Sequence, residues 1–318
     1  MTKELKKNRL GNSGLMVTEF CLGVLPMGPL QARAPMDLCV HIIRKALDMG
    51  VNFFDTAQMY ETESYLGTAL KGKREQAVIT SKSTAPDYDG MAASVANSLR
   101  ELDTDYIDIY LLHAARPGVE VFRERKGALD CLVEKKKAGV IKAAGISTHN
   151  PSVVAAAAER DDIDIIFPLI NMTGMGLIDG SINDMLRAIA KAHSHGKGVY
   201  AMKALAGGNL ISNLEEALNW VRAIEGVSSI AVGVVSEEEL LDDLRIFGLD
   251  TGIKSEFRMR TKKLYVMENL CKGCGICVET CPNQALFMEG EKAKVDQEKC
   301  LLCGYCSPSC PNFIIRII

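Results

Sequence analysis

Residues 106–113, Tyr106-Ile107-Asp108-Ile109-Tyr110-Leu111-Leu112-His113, form a short apolar run rich in β-branched side chains that stops on a polar one. A run of this length and composition reads as a buried strand, and the longer amphipathic stretch after it as a helix. The same alternation recurs from Glu19 to about Phe247, the signature of repeated βα units around a parallel sheet. The candidate strands are Glu19 to Gly23, Val51 to Asp55, Ala77 to Lys82, Tyr106 to His113, Ile141 to Ser147, Ile163 to Pro168, Val199 to Lys203 and Val227 to Gly233. Eight strands predict an α/β fold, a closed (β/α)8 TIM barrel, with a doubly wound open sheet as the competing arrangement.

The intervening stretches have helical spacing. Met36 to Met49 places Leu38, Ile42, Ile43, Ala46 and Leu47 on one face, and Ser236 to Phe247 follows a Ser-Glu-Glu-Glu start. Ahead of the first strand, the segment from Arg9 to Val17 carries a Gly/Asn turn and reads as a hairpin positioned to plug one end of the barrel.

A chain of 318 residues exceeds the roughly 250 of a lone barrel, which leaves room for a small second domain. Hydrophobic residues make up 47% and charged ones 24%, which excludes disordered and collagen-like classes. With 37 basic against 40 acidic residues there is no field of one sign, and no basic stripe interleaved with aromatics marks a nucleic-acid partner. The charged opening stretch lacks the apolar core of a signal peptide, and no apolar run reaches the ~18 residues that span a bilayer. The expected location is the cytoplasm, without membrane association. Periodicity weakens after Leu249, so the expected division is a barrel over 1–252, a linker over 253–264 and a small C-terminal α+β domain over 265–318.

That last segment holds eight of the eleven cysteines. Cys271, Cys274, Cys277 and Cys281-Pro282 form CxxCxxCxxxCP, and Cys300, Cys303, Cys306 and Cys310-Pro311 repeat it unchanged. In a reducing compartment this pattern means metal rather than disulfides. It resembles bacterial two-cluster ferredoxins over its whole length, including the intervening Ala285, Leu286 and Val295, expected to pack over the clusters. The resemblance implies two 4Fe-4S clusters, one held by Cys271, Cys274, Cys277 and Cys310, the other by Cys300, Cys303, Cys306 and Cys281. Paired structural zinc sites are the competing reading, although zinc modules normally separate two CxxC pairs. Cys21, Cys39 and Cys131 read as small buried hydrophobes.

In a TIM barrel the chemistry sits at the C-terminal ends of the strands. Asp55 ends the second strand, Tyr60 follows in the next loop, Lys82 ends the third and His113 ends the fourth. Singly, these are a helix cap, a loop aromatic, a solvated lysine and a satisfied histidine. Together, in this order, they resemble the catalytic tetrad of the aldo-keto reductases, a likeness that runs from Arg9-Leu10-Gly11 through Gly145-Ile146-Ser147 to Gly233. The resemblance implies an oxidoreductase interconverting a small-molecule carbonyl and its alcohol. Tyr60 would pass the proton, Lys82 would lower its high pKa, Asp55 would orient Lys82, and His113 would polarise the carbonyl oxygen. Of the other histidines, His41, His193 and His195 read as surface, and His149 lies near the site.

The same resemblance implies a nicotinamide cofactor, NAD(P)(H), across the barrel top. Ser147 stands at the carboxamide position, followed by Thr148 in place of the usual asparagine. Phe167 occupies the usual glutamine position with Asn171 close by, and Met202 replaces a stacking tyrosine. Leu205 and Gly207 belong to a loop suited to pyrophosphate. Gly233, Ser236, Glu239 and Asp243 match the adenosine end, where the Glu239 carboxylate favours NAD over NADP. Hydride moves two electrons together whereas clusters move one at a time, so coupling needs a flavin, for which no motif is present, or a radical-tolerant substrate. A redox-protein partner follows from the clusters. The alternative function is an electron-transfer subunit whose barrel serves for docking or sensing.

Overall fold

The structure is a computed structural model that describes residues 4–252, 262–281, 283–300, 302 and 304–318. The expected linker over 253–264 lies mostly outside the described residues, as do Pro282 and Cys303.

A hairpin of β1 (Lys7–Arg9) and β2 (Met16–Thr18) precedes the eight barrel strands. These are β3 (Phe20–Gly23), β4 (Phe53–Asp55), β5 (Val78–Ser83), β6 (Ile107–His113), β7 (Ile141–Thr148), β8 (Ile165–Pro168), β9 (Gly198–Met202) and β10 (Val227–Gly233). Each lies parallel to the next, and β10 pairs with β3 to close the ring, so the open sheet is excluded. Strand residues are buried on both faces, as parallel strands require. Ile109 and Leu111, like Ile165 and Phe167, point into the barrel, where Phe53 and Tyr200 join them. The residues between them, Tyr110, Leu112 and Ile166, pack outward beneath helices such as α1 (Met36–Asp48), whose Ile42, Ile43 and Ala46 are fully buried.

The hairpin closes the N-terminal end. Leu10 and Val17, both fully buried, cap the barrel interior. Its turn is held against the loop before β9, where Asn12 N donates to the Gly196 carbonyl at 2.8 Å. Gly11 sits there with φ +55°, and a Cβ on it would meet the Gly198 backbone nitrogen at 2.3 Å.

The C-terminal module has two antiparallel pairs, β11 (Leu264–Val266) with β14 (Ile315–Ile317) and β12 (Leu286–Glu289) with β13 (Lys292–Val295). Ala285 and Leu286 are buried, and Leu286 shares the module core with Cys271, Cys277 and Cys306 while Val295 packs against it. Leu25, Leu30 and Tyr60 of the barrel belong to this same apolar cluster, so the module sits over the barrel's C-terminal mouth. Every barrel loop it touches follows a strand's C-terminal end. Arg116, after β6, donates to the Pro311 carbonyl at 2.7 Å, and Gly176, after β8, faces the Phe313 ring.

Replacing Leu10 with alanine opens a cavity at the barrel floor. Expected destabilisation is about 2–5 kcal/mol, read from urea unfolding, with the site at the opposite end retained.

Candidate functional site

The four strand-end residues come together at the mouth. Asp55, Lys82 and Tyr60 are brought close because β4 and β5 are neighbours and Tyr60 follows β4 in a short 3-10 turn, Gln58–Tyr60. Lys82, 1% exposed, donates from Nζ to Asp55 Oδ1 at 2.8 Å and to the Thr56 carbonyl at 2.6 Å. The ammonium also lies 4.7 Å from the centre of the Tyr60 ring. The rings of Tyr60 and His113 meet edge to face, 5.8 Å apart at 87°.

Burial dominates the proton affinities. Burial pulls the Lys82 amine down, but Asp55 and Tyr60 more than offset it and hold the amine above its ordinary range, so it remains a cation. Burial pushes the Tyr60 hydroxyl up; Lys82 pulls it down, Asp55 pushes it up, Arg316 pulls it down, and burial prevails. The expectation that Lys82 lowers this tyrosine therefore gives the sign of one influence and not of the outcome. Burial, with Lys82, Lys203 and Arg125, drives His113 down to about 3, leaving a neutral imidazole whose buried Nδ1 has no hydrogen-bond partner among the described residues. The arrangement is a protonated phenol with a neutral imidazole against its ring and a fixed cation beside it.

Several contributors carry no sequence signal of their own. Tyr200, inside the barrel on β9, donates to Asp55 Oδ2 at 3.0 Å and fixes the second carboxylate oxygen. Arg125 donates to the carbonyls of Ser83, Ala85 and His113, binding the ends of β5 and β6 to one guanidinium. Arg316, on β14 of the module, lines the cavity of about 160 Å³ that also takes in Asp55, Tyr60, Phe167, Met202 and Lys203.

The positions matched to a nicotinamide nucleotide divide into two groups. At the reacting end, Met202 lines the cavity and the Ser147 hydroxyl is buried without a partner among the described residues. Thr148 Oγ1 accepts from Asn150 N at 3.1 Å, and Asn171 is committed to its own loop, accepting from Thr173 and Met175 and donating to the Met175 and Lys203 carbonyls. At the nucleotide end, Leu205, Gly207, Gly233 and Glu239 line the cavity together with Arg316 and Ile317 of the module's own strand. A Cβ on Gly207 would meet Arg316 Cδ at 2.8 Å, and one on Gly208 would meet the Ile317 carbonyl oxygen at 2.0 Å. Glu239 accepts from Val235 N and pairs with Lys262, Ser236 caps helix α9 (Glu237–Ile246), and Asp243 is buried. These residues suit the reacting end of the family cofactor, whereas β14 closes on Gly207 and Gly208 in the loop matched to its pyrophosphate.

The cysteines do suit clusters. Cys271, Cys274, Cys277 and Cys310 line one small cavity with Val266, Ala293 and Ile314. Cys281, Cys300 and Cys306 pack with the same module core, while Cys303 lies outside the described residues. Burial pushes the Cys281 thiol up, but the backbone N–H groups of Ala285, Asn283, Leu286 and Gln284 outweigh it and hold the sulfur below its ordinary range. Ala285 N reaches the sulfur at 3.3 Å. Such donors help set the potential of a cluster. Cys21, Cys39 and Cys131 are buried, as read. His41, His193 and His195 are exposed; His149 is buried, with its Nε2 3.0 Å from Lys203 Nζ.

The depressed pKa of His113 ties stability to pH. Between about 3 and its ordinary value near 6.5 the unfolded chain takes up a proton that the folded one refuses, so this contribution is present above pH 6.5 and lost as pH falls. Replacing His113 with glutamine should flatten the acid side of the stability profile, measured as urea midpoint against pH.

The family model for the aldo/keto reductase family matches residues 19–217, and that for a 4Fe-4S dicluster domain matches residues 270–314. The second match decides for iron–sulfur over paired zinc. Similar curated proteins include an uncharacterized oxidoreductase of Bacillus subtilis, 28% identical over 50% of this chain and 54% of its own length. Methylglyoxal reductase of Escherichia coli O157:H7 is 37% identical over 33% of this chain and 38% of its own. The chain thus spans about half or less of these relatives. Pyridoxal 4-dehydrogenase of Microbacterium luteolum is 24% identical over 80% of this chain and 96% of its own. Among solved structures, an aldo-keto reductase from Pseudomonas aeruginosa superposes with a TM-score of 0.66 at 25% identity, covering 76% of this chain and 93% of that one. With its closed barrel and a family match across well over half its length, this chain, which bears a C-terminal 4Fe-4S dicluster domain, belongs to the aldo/keto reductase family.

Proposed function

We propose that the chain reduces a small carbonyl compound to its alcohol at the barrel mouth, with electrons arriving through the dicluster domain rather than from a nicotinamide nucleotide. The observation that carries this reading is Arg316. It belongs to the module, lines the cavity beside Tyr60, and lies close enough to both Tyr60 and Cys310 for their charges to act on one another. The close approach of β14 to Gly207 and Gly208, in the loop matched to pyrophosphate, supports the same reading.

In this proposal the carbonyl oxygen lies between Tyr60 and His113. Neutral His113 donates a hydrogen bond to it, and the Tyr60 hydroxyl, kept protonated by burial, delivers the proton. Lys82 stabilises the phenolate left behind, Asp55 holds Lys82, and Tyr200 holds Asp55. When bound, the clusters supply single electrons of low potential. Carbonyl to alcohol requires two electrons and two protons; Tyr60 supplies the proton at oxygen, water the one at carbon, and a reduced electron-carrier protein the two electrons. Transfer one electron at a time favours a carbonyl conjugated to a π-system. The reading of the chain as a redox subunit with a docking barrel lacks an account of the buried Lys82–Asp55 pair beside Tyr60.

Two measurements test the proposal. Tyr60→Phe should lower reduction of an aromatic aldehyde, driven by reduced methyl viologen, on the order of 10²- to 10⁴-fold while leaving cluster reduction unchanged; unchanged turnover would favour the docking barrel. Anaerobic titration of the cluster-loaded protein with NADH and then NADPH should leave the visible cluster absorption intact. Bleaching by either nucleotide would overturn the cluster-only route.

A further inference from the structure

Basic side chains converge where the module closes the barrel. Arg316 is 7% exposed, and the hydrogen bond recorded for its guanidinium runs from Nη1 to the carbonyl of its own neighbour Ile315, at 2.9 Å. Lys203 stands opposite, its Nζ 3.0 Å from His149 Nε2. Both cations contact the Phe313 ring, with Lys203 Nζ 5.1 Å and Arg316 Cζ 4.6 Å from its centre. Among the described residues neither one is paired with a carboxylate, whereas Lys82, beside the Tyr60 ring, has Asp55, and Lys262, which lines the cavity, has Glu239.

Two buried cations without an anion are costly. Burial, with Arg316 and Arg116, holds the Lys203 amine well below the ordinary lysine range, and burial takes Arg316 down to about 10. The Cys310 sulfur offsets part of the Arg316 charge, but Cys310 is not among the main charges acting on Lys203. Lys203 is also held in the left-handed region, at φ +59°, a conformation that non-glycine residues keep only where the surrounding structure imposes it.

We propose that Lys203 and Arg316 form a subsite for a carboxylate of the substrate, which makes the substrate a small carbonyl acid. The assignment of carboxylate to substrate rests on the carbonyl chemistry proposed above; the anion subsite itself does not. The cavity of about 160 Å³ suits a small molecule and is small beside the ~300–1,000 Å³ of drug-sized sites. Bound there, the carboxylate neutralises the pair from the module side of the cavity while the carbonyl reaches Tyr60 from within it.

The test uses the cluster-loaded protein under anaerobic conditions, with benzoate as the probe and benzamide as its neutral counterpart, by titration calorimetry. Benzoate should bind at least tenfold more tightly than benzamide, Lys203→Gln should remove that preference, and Lys203→Arg should restore it. In turnover, the ratio of kcat/KM for 4-carboxybenzaldehyde over benzaldehyde should fall at least tenfold in Lys203→Gln. Because Arg316 also anchors the module, the Lys203 variants decide the matter. Equal binding of benzoate and benzamide, or a preference untouched by Lys203→Gln, overturns the subsite. Benzoate binding that depends on Lys203 in a protein that turns over neither aldehyde upholds the subsite and removes the carbonyl chemistry.

Discussion

The barrel mouth takes its form from one close approach of two backbones. The Ile317 carbonyl oxygen lies 2.0 Å from the point where a side chain on Gly208 would begin, so any other residue there would push β14 away. With β14 would go Arg316 from the cavity wall and the cover over Tyr60. The loop beneath is shaped for this contact, with Lys203, Ala206, Gly207 and Gly208 all at positive φ. Strain of about 1–3 kcal/mol for each non-glycine residue in that region persists only where other contacts repay it. Here the apolar cluster joining Leu25, Leu30 and Tyr60 to the module core supplies such contacts.

Much of this was legible before any coordinates. Strands repeat a pattern of hydrophobicity, and their ends carry the polar residues, so the eight strands fell within two residues of their expected bounds, and Asp55, Tyr60, Lys82 and His113 fell at one mouth. The repeated cysteine spacing was equally plain, because ligand spacing is a local property. What could not be read was the meeting of segments far apart in the chain. Tyr200 looks like any core aromatic until its hydroxyl reaches Asp55, 145 residues away. Arg316 looks like a polar break in an apolar tail until the module docks. Asn171 illustrates the reverse: its position suggested a ligand contact, but Thr173 and Met175 claim its side chain. The Tyr60 hydroxyl lies above its ordinary range because burial, which sequence does not give, exceeds the pull of Lys82.

The electrostatics of the mouth are one-sided. Lys82 is matched by Asp55, but burial, with Lys203, Arg316, His113 and Arg116, depresses the basicity of His149. In the proposed reduction, a neutral His113 and a protonated Tyr60 are the forms able to donate to an oxygen that becomes more negative as electrons reach it. The surrounding cations favour that negative charge before it appears, which is preorganisation in its plainest sense.

β14 follows the second cysteine motif at once, with Ile315 five positions after Cys310. During synthesis the barrel segment therefore emerges whole before the strand that covers its mouth. Cys310 is an expected ligand, so in the proposed function cluster binding and the cover of the mouth fall on one short segment. On that reading, oxidative loss of the metal would loosen the cover of the barrel as well as cut its electron supply.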